Sequence, residues 1–132
     1  MDKNLPDSFI IICRNAYLAG LHPFDTNIES TDFYKKLTFS ASQHKLRNFI
    51  GNLMEGHYYI NLWTAFFILD KFNPNIDEKL IGMNDDKSIV QDCIETTDSY
   101  AVDFQKQSQR ENYHNWISGV KSRYKIQNTF IL

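Results

Sequence analysis

Cysteine, proline and glycine are all scarce in this chain of 132 residues, which has two cysteines, three prolines and five glycines. Cys13 and Cys93 stand far apart, which excludes a disulfide scaffold and a four-thiolate zinc site and suits a reducing cytosol. No phosphate-cradling glycine loop occurs, neither Gly-x-Gly-x-x-Gly nor Gly-Lys-Ser/Thr. Long apolar runs are missing too. The most apolar stretch, Tyr58 to Leu69, contains Asn61 and Thr64 and falls short of the ~20 residues that span a bilayer. At the start, Met1-Asp2-Lys3-Asn4 is neutral and the run Phe9 to Cys13 stops at Arg14, unlike a secretory signal. The expectation is a soluble, cytoplasmic chain. Net charge is also small, −2, so the ten phenylalanines, seven tyrosines and two tryptophans lack the basic groove of a nucleic-acid stacking platform.

What remains is globular material. A hydrophobic share of 42% and a charged share of 23% exclude wholesale disorder. A single domain over residues 1–132 can bury roughly two-thirds of its unfolded surface, enough for a core. Phe9, Ile12, Cys13, Ala16, Tyr17 and Gly20 follow one helical face, with Pro6 suited to a first turn and Gly20 to a left-handed stop. Asp32 to Leu37 reads as a short helix. Ser40-Ala41-Ser42-Gln43 has the spacing of a capping box, ahead of Leu46, Phe49, Ile50 and Leu53 on one face, with Gly56 as the stop.

From His57 to Phe72 apolar residues surround the whole helix, which marks a buried central element, and Asn73-Pro74 stops it. Asn73 and Pro74 can also cap a short helix reaching Ile81. Asp85 or Asp86 then caps a helix with Ile89, Val90, Cys93, Ile94, Thr97, Ala101 and Phe104 inward. A last helix, about Gln107 to Tyr124, buries Tyr113, Trp116, Ile117, Val120 and Tyr124. Hairpin turns of the Asn-Gly type are absent. The predicted fold is all-α, a bundle of about five to seven helices around a buried central helix over 57–72.

Candidate chemistry is thin. Asp25-x-Asn27-x-Glu29 alternates oxygens as a calcium loop does, but lacks the glycine and the distant glutamate. Glu111-Asn112-Tyr113-His114 is one Glu-x-x-His, where a di-iron bundle needs two plus further glutamates. A cysteine nucleophile needs a base, and only the fold can bring His22, His44 or His57 beside Cys13 or Cys93. No cofactor, metal or catalytic set is expected.

Charge is distributed unevenly. Residues 77–103 carry eight carboxylates against two lysines, whereas residues 104–132 carry five basic residues against Glu111. Asp85, Asp86, Asp92, Glu95, Asp98 and Asp103 are the candidate partner-binding residues, because on a helical wheel most of them lie opposite the Val90/Cys93/Thr97/Ala101 stripe. Such a face steers and holds a basic partner. The plainer alternative is a solvated face neutralised by basic neighbours.

Three stretches resemble small helical immunity proteins of bacterial contact-dependent growth inhibition systems: His57-Tyr58-Tyr59-Ile60-Asn61-Leu62-Trp63-Thr64-Ala65-Phe66-Phe67-Ile68-Leu69, Cys93-Ile94-Glu95, and Glu111-Asn112-Tyr113-His114-Asn115-Trp116-Ile117. The resemblance implies a cytosolic partner that binds and neutralises one toxin domain, often a nuclease, with no shared catalytic residues. Charge and hydropathy add the expectation of no direct nucleic-acid or membrane partner, and the expected state of the helical domain is a monomer or weak homodimer. A small helical enzyme or metal protein and a helical regulatory adaptor are the competing functional classes.

Overall fold

A computed structural model describes residues 8–79 and 87–125. Among them are six α-helices and no strand: α1 (Phe9–Leu18), α2 (Asp32–Ser42), α3 (Leu46–Phe49), α4 (Ile60–Phe67), α5 (Ile89–Ala101) and α6 (Gln107–Arg123). A 3-10 turn, Ile50–Met54, continues α3, and a π-helical turn, Ile68–Phe72, continues α4. The all-α bundle expected from the apolar spacing is thus what forms. None of the helices among the described residues is long and apolar enough to cross a membrane.

Burial explains the arrangement. Every residue from Leu62 to Leu69 is buried, so α4 has no face suited to water, and it packs against both α1 and α5. Trp63 stacks on Phe67 at 5.8 Å between centroids, and Phe9 of α1 sets its edge against Phe49 and Phe67. The buried hydroxyl of Thr64 donates to the Ile60 carbonyl at 2.7 Å, so it interrupts the apolar core without an orphaned donor. α2 then packs on α1, and α6 on α5. The expected stripes are recovered in their centres: Phe9, Ile12, Cys13 and Ala16 in α1, Ile89, Val90, Cys93, Ile94 and Thr97 in α5, and Tyr113, Ile117 and Val120 in α6. Tyr17, by contrast, is exposed, and Ala101, Trp116 and Tyr124 are half-buried at the rim.

Several boundaries differ from the sequence pattern, each for a local reason. Ser8 caps α1 through its hydroxyl, which accepts from the Ile11 amide, and Gly20 takes the left-handed φ of +79°. Pro6 lies outside the described residues. Ser40 starts no helix, because it is buried inside α2, where Leu37, Ser40 and Ala41 continue the inner face. The cap there is Thr31, whose hydroxyl accepts from the Tyr34 amide at 3.2 Å. The face with Phe49 and Ile50 buried does form, but only α3 is α-helical before the chain tightens into the 3-10 turn.

The central helix begins at Ile60 rather than His57. Tyr58 and Tyr59 both adopt left-handed backbone, φ 55° and 57°, and the Ile60 amide bonds back to the His57 carbonyl at 2.9 Å. Such a conformation costs about 1–2 kcal/mol for an L-residue with a side chain. Tyr17 of α1 offsets it by meeting both rings edge-on, at 5.6 and 5.0 Å between centroids. Asn73, φ 49°, ends the π-helical turn as expected. Residues 75–79 make a turn, with the Glu78 amide on the Asn75 carbonyl, rather than a helix. Residues 80–81 of the expected short helix, and Asp85 and Asp86, lie outside the described residues. The cap of α5 is Ser88, whose hydroxyl accepts from the Gln91 amide at 3.1 Å.

Candidate partner-binding surface

An amphipathic helix that buries Ile89, Val90, Cys93, Ile94 and Thr97 must turn Asp92, Glu95 and Asp98 towards the outside. The four described carboxylates nonetheless differ in environment. Glu95 is exposed, bridged to Lys87 and bonded by the Gln91 side chain at 3.2 Å. Asp92 is half-buried. Desolvation raises its carboxyl above the usual range, Lys87 counters that, and Glu95 adds to it. Asp103 is exposed but lies past the helix end, in the turn that follows Ala101.

Asp98 departs from the expectation. Its carboxylate accepts the phenolic proton of Tyr113, which is buried on α6, and the same phenol oxygen lies 3.0 Å from the Thr97 hydroxyl. This carboxylate fastens α5 to α6, so it faces the helix interface as well as water. Burial, reinforced by the Asp98 charge, pushes the Tyr113 phenol upward and keeps it a donor.

The two arginines of α6 make no ion pair with this surface among the described residues. Arg110 donates to the carbonyls of Phe104 and Gln105, at 2.7 and 3.3 Å, and Arg123 donates to the Leu69 carbonyl. Lys121 is buried. Both arginines therefore serve carbonyl oxygens left open by neighbouring turns. Among the described residues, Glu95 is the one carboxylate of α5 in an ion pair, and its cation comes from Lys87 just before the helix. Asp92, Glu95 and Asp103 remain as an outward acidic surface that neither Arg110 nor Arg123 pairs with among the described residues.

Other candidate chemistry finds no assembled site. Burial pushes the thiols of Cys13 and Cys93 well upward, the opposite of an activated nucleophile. No histidine hydrogen-bonds either sulfur among the described residues. Glu111 and His114 are both exposed on α6, and Glu111 accepts from Gln107 at 2.9 Å. Among the described residues no three potential metal ligands cluster.

A second acidic feature joins residues distant in the chain. Residues 22–29 are laid on α6 by side-chain bonds: Gln109 donates to Asp25 at 2.7 Å, and Asn112 to the Phe24 carbonyl at 2.9 Å. His22 stacks on Phe104 at 4.7 Å between centroids, with its Nδ1 accepting from the Phe24 amide. Between this loop, α4 and α6 opens a cavity of about 230 Å³. Phe24, Phe66 and Trp116 line it, with Asp25, Glu29 and Asp70. The pattern Asp25-x-Asn27-x-Glu29 was its only visible trace in sequence, whereas Asp70 and Trp116 reach it through the fold alone. Comparison with known protein families, curated proteins and solved structures yields no match.

Proposed function

We propose that this chain is an immunity protein that binds a basic toxin domain, of nuclease type, and neutralises it in the bacterial cytoplasm. The observation that carries the reading is the outward acidic surface of α5 and its following turn, from which Arg110 and Arg123 of α6 are turned onto carbonyl oxygens. A basic partner supplies the missing positive charge. Aligned carboxylates accelerate its encounter and, where desolvated, hold it by ~1.5–7 kcal/mol per close pair. Carboxylates also present the charge of a phosphate, which suits them to a nuclease channel or its border.

The likeness of the 57–69 and 111–117 segments to immunity proteins of contact-dependent growth inhibition systems supports the same reading. The test is neutralisation by an equimolar amount of this chain, measured as substrate cleavage by the toxin domain encoded beside its gene. The expected result is loss of cleavage together with a one-to-one complex. Unchanged cleavage, with no complex at micromolar concentrations, contradicts the role.

A further inference from the structure

From the cavity between the 22–29 loop, α4 and α6, we infer a receptor for one arginine side chain of the protein partner, seated on aromatic rings and held by carboxylates. This deepens the binding reading and rests on it for the identity of the occupant. Three rings make the apolar lining: Phe24, Phe66 and Trp116 lie within 5.0–5.6 Å of one another between centroids. Phe24 and Phe66 are buried, and Trp116 is half-buried. A planar guanidinium stacks on such faces, and its weak hydration makes it the basic group most readily taken out of water.

Three carboxylates border the rings, and among the described residues no basic side chain lines the cavity. Asp25 is held in place by the His22 amide at 2.8 Å and by Gln109, bonds that fix its position but leave its charge uncompensated. Glu29 is exposed and makes no hydrogen bond or ion pair among the described residues. Asp70 accepts from the Trp116 indole at 3.2 Å and meets Lys71 at 3.5 Å from outside the cavity. Both Glu29 and Asp70 act on the same neighbour, Tyr34, whose phenol they help burial to push up to about 12. Negative charge around an aromatic cavity, with a fork of acceptors and no internal cation, complements a guanidinium. A neutral or anionic side chain leaves Asp25 and Glu29 without a cation.

The Trp116 indole N–H is the natural reporter, because its hydrogen bond to Asp70 must respond when a cation arrives. The experiment titrates the isotopically labelled full chain with acetyl-Gly-Arg-Gly-amide, and in parallel with the citrulline peptide, which has nearly the same shape but no charge. The expected result is a saturable shift of the Trp116 indole and of the Phe24 to Glu29 amides, with Kd in the millimolar range for one isolated side chain. The citrulline peptide should bind at least about tenfold more weakly.

Glu29→Gln and Asp70→Asn should each weaken the arginine peptide about three- to tenfold. Both amides keep an oxygen acceptor, so the Trp116 bond and the fold persist, as an unchanged spectrum of the apo variants shows. Absence of a saturable shift overturns the inference, as does equal binding of the citrulline peptide or unchanged binding by both variants. None of these arms contains the toxin, so failure at the cavity and failure of neutralisation are read in separate assays.

Discussion

Replacing Trp63 by alanine probes the bundle at its centre. The indole is fully buried, stacked on Phe67 and bordered by Tyr34 and Phe66. Truncating a buried tryptophan typically costs about 3–5 kcal/mol, from lost transfer energy and the cavity left behind. Here one term works the other way. The indole N–H is buried without a hydrogen-bond partner, and removing an unsatisfied donor returns part of its desolvation cost, ~1–3 kcal/mol. The net expectation is therefore near the low end, about 3 kcal/mol.

Unfolding entropy of ~2.1 cal/mol/K per residue converts this into a fall in Tm of about 10 °C for 132 residues. Calorimetry or thermal circular dichroism reads it directly. Trp63→Phe keeps the stacked ring and deletes the orphaned N–H, so its loss should stay below about half that of the alanine variant. A fall of under about 3 °C for Trp63→Ala would refute the placement of α4 at the core.

Further expectations concern the junctions around that core. Tyr113→Phe removes the donor that links α6 to Asp98 and should cost about 1–2 kcal/mol in urea unfolding, a loss that vanishes if the phenol is idle. For His22, desolvation lowers the imidazole pKa, with Asp25 and Gln109 opposing and Lys106 assisting. The unfolded chain therefore takes up the proton first, and the corresponding stability is present above about pH 6.5 and declines as pH falls below it. In His22→Asn, where the amide oxygen can accept from Phe24 in place of Nδ1, the decline between pH 7.5 and 5.5 should shrink; an undiminished decline counts against a buried neutral His22. Hydrogen exchange should find the α4 amides of Trp63 to Phe67 among the slowest, and fast exchange there contradicts the all-round burial.

Much of this fold was legible because burial imposes a period. Ile89, Val90, Cys93, Ile94 and Thr97 announce the inner side of α5 by spacing alone, and the α6 stripe likewise. Patterns that depend on a single local cue did worse. Ser40 and Gln43 have capping-box spacing, yet the continuing face of Leu37 and Ala41 kept α2 helical past Ser40, and Gln43 closes that helix instead of opening the next. Tyr58 and Tyr59 look like good residues for a buried helix, but Tyr17, far away in the chain, secures them in left-handed backbone.

The same limit governs the candidate surface. A helical wheel places Asp92, Glu95 and Asp98 on one side of α5 without showing that Tyr113 engages Asp98. It is equally silent on Arg110 and Arg123, whose choice of carbonyl oxygens over carboxylates leaves the surface acidic. The aromatic cavity was least legible, since Asp25, Asp70 and Trp116 share no local pattern.

The most direct test of the binding account is the salt dependence of affinity for the adjoining toxin domain, compared between the wild-type chain and the Asp92→Asn, Glu95→Gln, Asp103→Asn variant. Asp98 is left intact because it supports the α5–α6 junction. Exposed carboxylates contribute ~0.2–1 kcal/mol each, so the three together should weaken Kd by about tenfold at low salt. The gap should narrow as ionic strength rises and the charges are screened. Equal affinity and equal salt dependence in the two proteins, with the variant fully folded, would contradict the claim that this acidic surface holds the partner.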